Sequence, residues 1–83
     1  MEYEQNEKVT KLIIELCNQY IDSESFVKAV ATVEGERKIY FGYPRLVDEN
    51  HLILNVRRGF TKLPIKQIRT IRRVNNKHED DWW

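Results

Sequence analysis

Seven apolar side chains between residues 9 and 21 obey a single period. Val9, Leu12, Ile13, Leu16, Cys17, Tyr20 and Ile21 recur at i, i+3, i+4, i+7, i+8, i+11 and i+12. That spacing places them on one stripe of an α-helix. A helix with such a stripe must bury it, so the rest of the chain has to supply an apolar surface. The pattern predicts a helix over residues 6–21. Asn6 is its expected N-cap, and Glu4 and Glu7 lie where the helix dipole favours negative charge. The polar run Asp22-Ser23-Glu24-Ser25 ends it.

Beyond residue 25 the period changes from helical to alternating. Val27, Ala29, Ala31 and Val33 alternate with Lys28, Val30 and Thr32, and Ile39, Phe41 and Tyr43 alternate after the turn Glu34-Gly35-Glu36. Gly42 reads as a bulge or bend, and Pro44 as an edge or a turn. Leu46 and Val47 form a short apolar stretch before the turn Asp48-Glu49-Asn50. Leu52, Leu54 and Val56 alternate again before a third turn, Arg57-Arg58-Gly59.

Ile65, Ile68, Ile71 and Val74 recur every three residues. On a helix those four positions sweep roughly half-way round the axis, which makes a poor buried face. The better reading is a 3₁₀ turn at residues 64–67 and a strand over residues 68–74. The whole is expected to be mainly β with an N-terminal α-helix: a small five-stranded barrel capped by the helix. Closing the barrel would remove the exposed edges of so small a sheet.

With 83 residues the chain makes one domain, read as residues 1–78 with an acidic, Trp-tipped tail at residues 79–83. A domain of this size buries only about 60% of its unfolded surface, which leaves little stability to spare for a deep pocket. The single Cys17 permits no internal disulfide, no apolar run has membrane-spanning length, and the acidic opening is not that of a secretory signal. These readings favour the cytoplasm.

Residues 26–73 carry a family resemblance. The run Gly42-Tyr43-Pro44-Arg45-Leu46-Val47-Asp48-Glu49-Asn50 followed by Leu52-Ile53-Leu54 looks like a bent second strand, a turn and a third strand. Arg58-Gly59 resembles the Arg-Gly turn of Sm proteins, and Leu63-Pro64-Ile65-Lys66-Gln67-Ile68 resembles the short turn before the last strand. The stretch thus resembles SH3-like and Sm-like barrels, and the chain is most similar to the YolD-like group of small bacterial proteins associated with error-prone DNA polymerases. That resemblance implies a binding module with a polymerase partner, although a superfold of this kind hosts many functions.

Net charge is only +1, but residues 1–24 hold six acids and two bases, while residues 50–78 hold eight bases and no acid. Arg57, Arg58, Lys62, Lys66, Arg69, Arg72, Arg73 and Lys77 suit phosphate recognition, with Phe60 and Tyr43 or Tyr40 as stacking faces. The first seven of these are the candidate nucleic-acid-binding residues. The plainer alternative is a solvated basic face partly paired with the acidic helix. At the other extreme of charge, Glu79-Asp80-Asp81-Trp82-Trp83 combines steering acids with two hot-spot residues. Asp80, Asp81, Trp82 and Trp83 are the candidate protein-docking residues, unless the tail packs on its own domain or occupies the basic stretch.

Cys17 reads as a buried, inert thiol. His78 with the following acids lacks the fixed geometry of a metal site, and neither a phosphate loop nor a nucleophile–base pair is present. No cofactor and no catalysis are expected. The expected function is a non-enzymatic accessory module acting through protein contacts; the alternatives are an Sm-like or SH3-like nucleic-acid binder and a structural homo-oligomer.

Overall fold

The computed structural model describes residues 7–74. Asn6 and the acidic tail, with Asp80, Asp81, Trp82 and Trp83, lie outside the described residues, as do Lys77 and His78. Helix α1 (Glu7–Asp22) leads into five strands: β1 (Val27–Val33), β2 (Glu36–Val47), β3 (His51–Val56), β4 (Gly59–Pro64) and β5 (Ile68–Arg73), with a 3₁₀ turn at Ile65–Gln67 before β5. All ladders are antiparallel, in the order β4-β3-β2-β1-β5. The helix, the 3₁₀ turn and the last strand stand where the period of the apolar residues puts them.

Closure into a barrel is not seen. Strands β4 and β5 are the two ends of the ladder order, and no ladder joins them. The sheet bends instead in the middle of β2. Residues up to Gly42 pair with β1, and residues from Tyr43 onward pair with β3. Gly42 occupies the crossing point because a methyl there would run into the backbone carbonyl of Asn55. Just beyond it Pro44 is buried opposite Leu54, on a stretch of β2 that has already left β1 and has an open side for a residue without an N–H. Of the two readings of Pro44, an edge or a turn, the edge is therefore the one the pairing bears out. One strand runs through to Val47, with a register shift between Pro44 and Leu46. Strand β4 was not anticipated, and Gly59 opens it at φ 132°.

The inner side of the bent sheet carries the core. Val27, Ala29, Leu52, Leu54, Ile65 and Ile68 are fully buried and meet Ile13 and Cys17 of α1. Each large aliphatic among them contributes about 1.5–3 kcal/mol by leaving water. Val9, Leu16 and Tyr20 flank this contact, and Ile14 joins them. Leu12 is a correction to the expected stripe: it is 58% exposed. At 100° per residue it lies roughly 60° outside Val9, beyond the reach of the sheet.

Two turns show how the local sequence fixes the frame. Helix α1 ends in a Schellman arrangement: Ser25 N–H donates to Tyr20 O at 2.9 Å, Glu24 N–H donates to Ile21 O at 3.1 Å, and Glu24 takes φ 50°. Strands β1 and β2 are joined by Glu34 and Gly35 at φ 52° and 80°, the signs of a type I′ hairpin turn. Between β2 and β3, the Asp48 carboxylate accepts from the N–H groups of Asn50 and His51, each at 2.7 Å, which holds its pKa below the usual carboxylate value.

Candidate nucleic-acid interface

Alternation sends every second residue of β1, β2 and β5 to the side of the sheet away from α1. Cross-strand register sets these outward residues in rows. Lys28 lies between Phe41 and Arg72, and Val30 lies between Ile39 and Thr70. Thr32 stands beside Arg37, and the Arg69 guanidinium reaches the Thr32 hydroxyl at 3.5 Å. Neighbouring strands lie about 4.8 Å apart and alternate residues about 6.7 Å apart, so the rows form a grid of side chains.

The chemistry of the grid is one-sided. Its outward residues include Lys28, Arg37, Arg69 and Arg72, and no carboxylate stands among them. Beside the bases lies an aromatic cluster. Phe26 stacks on Phe41 with centroids 6.3 Å apart, and meets Tyr43 edge-on at 5.1 Å. Phe26 is buried and backs the other two, which are half-buried. Past the bend the same side continues through Tyr43, Asn55 and the 70%-exposed Phe60, and through Leu46, Ile53 and Lys62.

The residues picked out from the sequence do not all meet. Arg69 and Arg72 join the grid. Lys62 lies on the same side but on β4, the opposite end of the ladder order. Arg57 and Arg58 form the exposed turn between β3 and β4, and Lys66 lies exposed on the 3₁₀ turn. Arg73 is paired with the core residue Val27, and so leaves β5 on the helix side. Tyr40 also turns inward, where it packs against the core, and does not serve as a stacking face. Lys28 and Arg37 were missed: Lys28 stands out of phase with Val27, Ala29 and Ala31, which was a signal, whereas Arg37 is in phase with Ile39, Phe41 and Tyr43, which face outward with it.

Among the described residues no three His, Cys, Asp or Glu side chains gather to hold a metal, and no buried side-chain nitrogen or oxygen lacks a hydrogen-bond partner. Cys17 is wholly buried, and burial pushes its thiol up to about 12, which leaves it protonated at neutral pH. Among the described residues no helix is long and apolar enough to cross a membrane. No protein-family model, no curated protein and no solved structure matches the chain.

Proposed function

We propose that this protein is a non-catalytic module that binds single-stranded nucleic acid across the outer side of its sheet. The observation that carries the reading is the coincidence, on one side of three adjacent strands, of four bases, no acid and an aromatic cluster. Bases on such a grid neutralise successive phosphates and release counterions. Aromatic rings beside them offer stacking faces that tolerate any base, and unpaired bases are available only in single strands. The resemblance to Sm-like and SH3-like builds adds to the reading.

The test is a salt series. Binding of a labelled oligothymidylate, followed by fluorescence anisotropy, should be measurable at low salt and fall steeply as salt rises. A wild-type protein that fails to bind at low salt overturns the proposal.

A second reading rests on a different observation. Leu46 and Phe60 are 62% and 70% exposed on the β2–β3–β4 part of the same side. Apolar side chains of this size suit a protein contact, either a second copy or a partner. The YolD-like resemblance, with its DNA-polymerase partner, belongs to this reading. A Leu46→Ser, Phe60→Ser variant that leaves both the mass in light scattering and the capture of a candidate polymerase unchanged would remove it.

A further inference from the structure

Arg72 borders two surfaces. On the outer grid it follows Phe41 and Lys28 in one row. It also lines, with Arg73, an open groove of about 650 Å³ whose other walls are Gln19, Tyr20, Ser23 and Ser25 from the end of α1. The groove therefore begins where the grid ends, at the β5 edge of the sheet.

Its lining is suited to an anion. Arg72 and Arg73 bring two guanidinium forks, each able to hold phosphate oxygens by paired N–H donors. At the α1 wall, Gln19 O accepts the N–H of Ser23 at 3.0 Å and its hydroxyl at 2.9 Å, and Tyr20 O accepts the N–H of Ser25, so the two arginines have only the negative end of the helix dipole to outweigh. Ser23 Oγ and Ser25 Oγ lie 2.6 Å apart, and because the Ser23 proton goes to Gln19 O, the hydroxyl of Ser25 donates to Ser23 and fixes the shape of this wall.

We infer that this groove is a phosphate subsite, and that a single strand lying across the aromatic grid runs over the β5 edge and seats a backbone phosphate between Arg72 and Arg73. This deepens the proposed function and rests on it. It also gives Arg73, which the grid leaves out, a part in the same interface. The path is polar at both ends and crosses the edge at Arg72, the residue common to both surfaces.

Arg73→Gln separates this inference from the reading beneath it, because Arg73 stands outside the grid. Against a labelled oligothymidylate, the variant is expected to bind about tenfold more weakly, in line with loss of one charge-assisted contact. Its log–log salt slope should fall by about 0.7, the share of one single-strand phosphate. In the wild type, the backbone amide signals of Gln19, Ser23 and Ser25 should shift on addition of the oligonucleotide. Wild-type binding with those amides unmoved, or an Arg73→Gln variant that binds as the wild type does, overturns the subsite and leaves the grid standing. Absence of any wild-type binding at low salt overturns both.

Discussion

Ile68 and Ile71 point to the same side of β5 although three positions separate them. In a regular strand, residues three apart face opposite sides. Here Ala31 pairs with Ile68 and Val30 pairs with Thr70, so three residues of β5 stand against two of β1 and the register shifts at Arg69. The bulge turns both Arg69 and Thr70 outward and brings both isoleucines into the core. Deleting Arg69 leaves Ile-Thr-Ile, a regular alternation that keeps both isoleucines inside. The deletion is expected to fold and to melt cooperatively. Deleting Lys28 from the unbulged β1 throws Val27 or Ala29 out of phase and is expected to abolish folding. Thermal melts of the two deletions, followed by circular dichroism, check the contrast.

At Gly42 the constraint is space. The strand changes partners there, and the Asn55 carbonyl lies where a side chain would begin. Gly42→Ala forces the two backbones apart and is expected to cost about 3 kcal/mol, at the upper end for overpacked sites. Urea unfolding of the variant measures it, and a loss below about 1 kcal/mol would contradict the close approach.

Glu24 offers a change in the opposite direction. It holds a left-handed conformation, at φ 50°, in the cap of α1, and it brings negative charge to the helix end that repels it. Glu24→Gly relieves both, and is expected to stabilise by about 0.5–1 kcal/mol, or roughly 4 °C in melting temperature. An unchanged or lowered melting temperature would refute this account of the cap.

Cys17 reports on the contact between α1 and the sheet. Its thiol is wholly buried, and its pKa is pushed up to about 12 by that burial. A thiol reagent at pH 8 should therefore label it at the rate at which the helix lifts or the domain unfolds, and not at the rate of a free thiol. The sign of the pH effect follows. The unfolded thiol loses its proton near its ordinary value, the folded one only near 12, so Cys17 makes the domain less stable as pH rises between the two. Cys17→Ala should flatten that part of the stability–pH curve. Rapid labelling in the native state would show the packing of α1 to be looser than the structure has it.

The sequence was most legible where one residue meets one period. The α1 stripe, the hairpin at Gly35 and the 3₁₀ turn before β5 followed from spacing and turn chemistry. The bend was legible only as a glycine, because the reason for it is a carbonyl thirteen positions away. Barrel closure was inferred from the need to hide strand edges, and a local pattern does not encode whether β4 meets β5. Strand β4 escaped notice because Phe60 and Lys62 face outward while only Leu63 is deeply buried. The basic residues were read as a run along the chain, whereas register gathers them across strands.

That difference yields the sharpest prediction for the site. Lys28 sits in a stretch of balanced charge and has no basic neighbour in sequence, yet register sets it between Phe41 and Arg72. Lys66 belongs to the basic run but lies on the 3₁₀ turn, away from the rows of the grid. If the outer side of the sheet is the interface, Lys28→Glu should weaken binding of any single-stranded sequence about equally and lower the salt slope by at least about 0.7, the contribution of one phosphate contact. Lys66→Glu, which changes the net charge by the same amount, should leave the slope close to that of the wild type. Equal losses in the two variants would mean that binding follows net charge alone, and the grid would have no special part in it.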